Sequence, residues 1–129
     1  MTLLRPIPSA PAFAPREDKA APERLISGQP EFKTWAIDEA LAEGALAGAG
    51  GWGRIRTGIW EATPGETRSI KGETFEFCHL LSGRCEITGA DGVAQVFGPG
   101  DSFVMKPGFT GVWKTLETLR KVYVIASRD

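Results

Sequence analysis

Residues 74–88, TFEFCHLLSGRCEIT, carry the pattern that decides the fold class. In the extended chain over 74–81, Glu76, Cys78 and Leu80 share one face, and Phe77, His79 and Leu81 share the other. Ser82-Gly83 then predicts a tight turn into a second strand, Arg84–Thr88. Upstream, RIRTGIWEA (54–62) places Ile55, Thr57 and Ile59 in strict alternation and stops at the turn residues Thr63-Pro64-Gly65. Downstream, Gly89-Ala90-Asp91-Gly92, Gly98-Pro99-Gly100-Asp101 and Pro107-Gly108 separate Val93–Phe97, SFVMK (102–106) and TGVWKTL (110–116). RKVYVIA (120–126) closes the series. Short strands at a spacing of roughly 8–12 residues, punctuated by Gly and Pro, predict an all-β sandwich or barrel.

The chain before this region has another character. Pro6, Pro8, Pro11, Pro15, Pro22 and Pro30 all fall in residues 1–30, which excludes helix and central strand there. Residues 1–30 are therefore expected to form a proline-rich arm, and 31–129 the barrel. Phe32, Trp35 and Ile37 make an apolar patch that needs cover, and together with exposed barrel edges it predicts a homodimer. Residues 38–47, DEALAEGALA, suggest one or two helical turns with Asp38 as N-cap. The glycines of 48–53 match G-x-G-x-x-G literally. A dinucleotide site needs a strand before the motif and a helix after it, whereas here a strand follows, so this is a loop.

Composition removes several function classes. The 129 residues suit one domain. Fifteen Lys+Arg stand against 16 Asp+Glu, so neither nucleic acid nor anionic lipid is an expected partner. No run approaches the ~18 apolar residues of a membrane span. Arg5 and the early prolines interrupt any signal-like apolar stretch, so the expected location is the cytoplasm. Two cysteines, Cys78 and Cys85, cannot staple a disulfide scaffold, and a single histidine cannot make an imidazole cluster.

The separated blocks WEATPGE (60–66), EFCHLLSGRCEIT (76–88), FGPGDSFVMKPGFTGVW (97–113) and RKVYVI (120–125) resemble short single-domain cupins. The subgroup is related to ureidoglycine aminohydrolase-like and ethanolamine-utilisation cupins. Glu76 with Gly83 matches the end of the first cupin motif, Gly65 its opening glycine, and Gly100, Pro107 and Gly108 the second motif. The resemblance implies a double-stranded β-helix, or jelly-roll barrel. In metal-binding cupins two first-motif histidines, the glutamate and a second-motif histidine hold the ion. This sequence has Ser69 and Lys71, or Ile70 and Gly72, at the first pair, and Gly111 at the third. Only Glu76 survives, and one carboxylate cannot hold a transition metal tightly. No cofactor is therefore expected, and a divalent metal is the outlying alternative.

If the resemblance holds, the Glu76 face lines the interior. Glu76 is then the candidate acid/base, its pKa raised by burial, or an anchor for ligand; the plain alternative pairs it with Lys71 or Arg68. Cys78, Phe103, Met105, Trp113, Tyr123 and Trp60 are candidate pocket-lining residues, with ordinary barrel filling as the alternative for each. Gly111 is expected to open space beside Trp113. Cys78 and His79 point to opposite faces and cannot form a dyad. The reading these residues favour is a barrel that binds or converts a small polar metabolite without metal. Its alternatives are a non-catalytic ligand-binding or structural cupin and a metal-dependent ureide-type aminohydrolase.

Overall fold

A computed structural model describes residues 3–42 and 51–128. Among these there is no helix. Nine strands run β1 Arg16–Lys19, β2 Leu25–Gly28, β3 Glu31–Leu41, β4 Arg54–Ala62, β5 Gly65–Ile70, β6 Phe75–Gly89, β7 Ala94–Phe97, β8 Ser102–Met105 and β9 Thr110–Ser127. Every pairing is antiparallel. No helix among the described residues is long and apolar enough to cross a membrane.

Strand β9 organises the sheet. Its first part pairs with β5 on one side, and its last part pairs with β4 on that same side. Along its other side it pairs with β6 from Phe75 to Gly89. Strand β6 in turn carries β8 on its early half and β7 on its late half. Two long, bent strands thus serve both halves of a curled sheet, which is the jelly-roll arrangement expected of the cupin resemblance.

The bend has a local cause. Register shifts between Leu80 and Cys85 fall where β9 changes partner from β4 to β5. Gly83 sits there at φ 80°, and a Cβ on it would lie 2.2 Å from the Thr118 carbonyl oxygen. Ser82-Gly83 is consequently a bulge inside one continuous strand and not the predicted hairpin turn. TGVWKTL and RKVYVIA likewise prove to be one strand.

The N-terminal region differs from expectation in two respects. Residues 38–41 continue β3, paired with 54–57 of β4, so the helix starting at Asp38 does not form. Residues 43–47 of that predicted helix, and Gly48 and Gly50 of the G-x-G-x-x-G match, lie outside the described residues. Trp35 and Ile37 are buried within the chain itself, in a cluster with Ile59, Leu81 and Val122. The apolar patch therefore finds its cover without a second subunit. The arm contributes two edge strands, β1 on β3 and β2 on β5. It is tied down by Trp35 Nε1, which donates to the Phe13 carbonyl at 3.0 Å, and by Arg120 Nη1, which donates to the Ser9 carbonyl at 3.0 Å. Arg120 also stacks over Trp35 and pairs with Glu61 at 3.1 Å.

A second cluster fills the barrel: Cys78, Leu80, Cys85, Ile87, Met105, Trp113 and Leu119. Its aromatic edge comprises Trp60 against Trp113, and Phe103 between Phe97 and Trp113. Trp60 and Trp113 line a cavity on the inner face.

Candidate functional site

Glu76 lies on the inner face of β6 and is 4% exposed. An isolated carboxylate could not be buried there in ionised form. Two ammonium groups make it possible. Lys71, in the turn after β5, donates to Oε1 at 2.6 Å, and Lys121, on β9, donates to Oε2 at 2.7 Å. Cys78, two residues along the same face, donates its thiol to Oε2 at 3.3 Å and lies 3.5 Å from the Lys121 ammonium. Lys121 is also flanked by two indoles, 4.4 Å from the Trp60 ring centre and 4.5 Å from that of Trp113. Trp113 is fixed by donating Nε1 to Thr115 Oγ1 at 3.0 Å.

The raised carboxyl pKa expected of Glu76 is not found. Burial pushes it up, but the charges of Lys121 and then Lys71 outweigh burial and hold it at about 2. At neutral pH Glu76 is an ionised structural anchor with both oxygens engaged, so it has no proton to donate. Burial pushes the Cys78 thiol up to about 12, which keeps it neutral. Burial disfavours the Lys121 ammonium, yet the neighbouring Cys78 and Glu76 raise its pKa above the usual value; with the thiol protonated at neutral pH, the carboxylate is the partner that counts.

Above this triad opens a cavity of about 560 Å³. Four of the residues expected to line it do so: Trp60, Met105, Trp113 and Tyr123. Cys78 lies beneath the lining, packed in the core. Phe103 stacks on Phe97 and faces a separate cavity near Phe109 instead. Gly111 opens no space, because a Cβ there would meet the Thr88 carbonyl oxygen at 2.3 Å. That glycine permits close approach of backbones. Of the two alternatives for the histidine pair, Ser69 and Lys71 face the cavity, while Ile70 is exposed. His79, on the outer face, bonds to Ser102 at 2.7 Å.

Sequence reasoning missed Lys121, and also Arg56, Thr34, Asp38 and Glu39 at the rim. Lys121 alternates with Tyr123 and Ile125 in RKVYVIA, so a lysine sharing a face with apolar residues was the available signal.

The metal that the resemblance implies does not fit these residues. Among the described residues no three His, Cys, Asp or Glu side chains come together. The one carboxylate in place is already saturated by two cations. Lysine ammonium repels a divalent ion, and such sites need three or four donor ligands.

Fold and site together define a small cupin. The chain belongs to the EutQ-like cupin domain family, whose model matches residues 49–123. No curated protein matches the sequence. Among solved structures it is similar to a protein of unknown function of the DUF861 family from Pseudomonas syringae pv. tomato, with 21% identity and a TM-score of 0.72. That match covers 92% of this chain and 46% of the other, so this chain spans about half the length of that relative. The Clostridium difficile EutQ protein matches at 15% identity and a TM-score of 0.58, over 78% of this chain and 65% of its own. Ectoine synthase from P. lautus matches at 16% identity and a TM-score of 0.59, over 83% and 71% respectively. At these identities the three likenesses concern the fold alone.

Proposed function

We propose that the barrel binds or converts a small polar metabolite in the cavity above Glu76, and does so without the usual cupin metal. The observation that carries this reading is the Lys71–Glu76–Lys121 triad: the cation facing the surviving cupin glutamate is supplied by the protein. The indoles of Trp60 and Trp113 line the cavity and hold the Lys121 ammonium between them. Lys71 gives one of its three protons to Glu76, and its ammonium lines the cavity with the others available to a ligand oxygen.

Elemental analysis of the purified protein, with melting curves before and after chelator, tests the metal-free part. The expected result is no stoichiometric transition metal and an unchanged melting temperature. About one metal ion per chain, lost in Glu76→Ala, would overturn the reading and bring the metal-dependent aminohydrolase forward. Native mass spectrometry of the gently purified protein tests the ligand part; a co-purifying metabolite released by denaturation is expected.

The remaining assignments belong with this proposal: an arm over residues 1–30, a cytoplasmic location and a homodimer. The dimer is now supported by the apolar side chains of Val93, Val96 and Val104, exposed on or beside the edge strands β7 and β8. Light scattering that finds a 13.9 kDa monomer at micromolar concentration would remove it.

A further inference from the structure

Strand register lays the inner face out in rows. Lys121 stands between Trp60 and Leu80, Tyr123 between Gly58 and Cys78, and Ile125 between Arg56 and Glu76. Charge is unevenly shared among these rows. At the rim, Asp38 is 3.7 Å from Arg5, Glu39 is 3.6 Å from Arg54, and Arg16 is 2.9 Å from Asp18. Each of those pairs balances itself. On the floor, one carboxylate stands between two ammonium groups, leaving one positive charge over. Arg56 leaves another: its cross-strand neighbour Glu39 turns to Arg54, and no ion pair holds Arg56 among the described residues. Both Lys71 and Arg56 line the cavity.

Arg56 and the carboxylate to which Lys71 is bonded stand on opposite sides of β9. Arg56 and Glu76, the latter bonded to Lys71, flank Ile125 in one row, two strand spacings or ~9.6 Å apart at Cα. The surface between them is the apolar side chain of Ile125, which also lines the cavity. In the adjacent row the Tyr123 hydroxyl lies over Gly58, within 2.6 Å of where a Cβ would stand. It lines the cavity and has no hydrogen-bond partner among the described residues.

We infer that the ligand is a short aliphatic dicarboxylate, with one carboxylate on Lys71, the other on Arg56 and Tyr123, and its methylenes against Ile125. This rests on the cavity being a metabolite site, as proposed above, and names the ligand class. A monoacid would leave one of the two cations without a counter-charge. A compact dianion such as inorganic phosphate spans less than a diacid and has no methylenes to set against Ile125. A neutral ligand would leave both cations facing each other across an apolar side chain.

Titration calorimetry on the full chain at low ionic strength tests the inference. The probes are malonate, succinate, glutarate and adipate, with butyrate as monoacid, succinamide as neutral analogue and inorganic phosphate as compact dianion. At least one diacid is expected to bind about tenfold more tightly than butyrate or phosphate. Arg56→Gln, at an exposed side chain whose loss breaks no ion pair, should reduce that diacid to the level of butyrate measured on the same variant. Tyr123→Phe should weaken that diacid several-fold. Equal binding of diacid and butyrate, phosphate binding best, or an Arg56→Gln variant that folds and binds the diacid unchanged would each overturn the inference. If succinamide or another neutral metabolite binds and quenches tryptophan fluorescence while no diacid does, the dicarboxylate is wrong and the metabolite site stands. If neither the diacids nor a broad metabolite library binds, both fall.

Discussion

Replacing Lys121 by methionine removes the ammonium while keeping an unbranched stem between Trp60 and Trp113. Glu76 would then be buried with Lys71 as its single counter-charge. In the intact triad the carboxyl is moved from its ordinary 4.5 to about 2, worth about 3 kcal/mol of folding free energy at neutral pH. Lys121 supplies the larger share of that lowering, but Lys71 remains, so Lys121→Met should cost about 2–3 kcal/mol, at or below the low end for breaking a buried pair. The pH dependence separates this cause from lost packing. A carboxyl held below its unfolded value binds fewer protons in the folded state. Its stabilisation is complete above about pH 5 and fades as pH falls through 4.5 toward 2. Urea unfolding followed by tryptophan fluorescence should show the wild type losing about 3 kcal/mol from this group over that window. Without Lys121, burial drives the carboxyl back up and the loss should be much shallower. Glu76→Gln with Lys121→Met should recover part of the deficit, because it removes a buried carboxylate left with a single counter-charge. A Lys121→Met protein within about 0.5 kcal/mol of wild type, or one with an unchanged acid profile, would refute the reasoning.

Three other perturbations have definite outcomes. Gly83→Ala places a Cβ against the Thr118 carbonyl at a φ of 80°, so it should destabilise by more than about 2 kcal/mol or abolish soluble expression, read by urea midpoint or yield. The Cys78 and Cys85 thiols, pushed by burial up to about 12 and about 11, should resist a thiol reagent at pH 8 until denaturant is added; rapid labelling of the native protein would contradict their placement. Arg120→Ala removes the bond to Ser9, the pair with Glu61 and the stacking on Trp35, so limited proteolysis should cut within residues 3–15 faster, at a stability cost of about 1 kcal/mol.

Local pattern made some of this structure legible and hid the rest for physical reasons. The alternation in 54–62 and 74–81 gave β4 and the start of β6, because each strand presents one face to a core. GETRSI carries no strand signal of its own, because all its side chains but Ile70 are polar; β5 exists through pairing with β9 and β2. Residues 38–41 carry Asp, Glu, Ala and Leu, which read locally as a helix start, yet the ladder to β4 overrides that preference. The same limit governs the site. The inward facing of Glu76 follows from one strand, whereas its contact with Lys121 depends on pairing residues 75–82 with 120–126, forty-odd positions away in sequence.

That long-range contact also bears on how a cupin that lacks histidines should be read. Matching motif positions ligand by ligand treats Ser69, Lys71 and Gly111 as losses and leaves Glu76 as a remnant. The electrostatics suggest a different relation among the same residues. A buried carboxylate on the inner face of a barrel needs positive charge in front of it, whether a metal or a side chain provides it. Here Lys71 stands at a place where the resemblance calls for histidine, and Lys121 reaches the same carboxylate from the last strand. If the motif positions had simply decayed, Glu76 would be free to become an apolar residue, since a well-packed hydrophobic replacement of a buried ion pair is often neutral or stabilising. Instead the carboxylate, two lysines and two indoles form one closed set of contacts, and its surplus positive charge faces the cavity. Such a set holds an ammonium at a fixed depth in the barrel, and the proposed recognition of an anionic group rests on that placement.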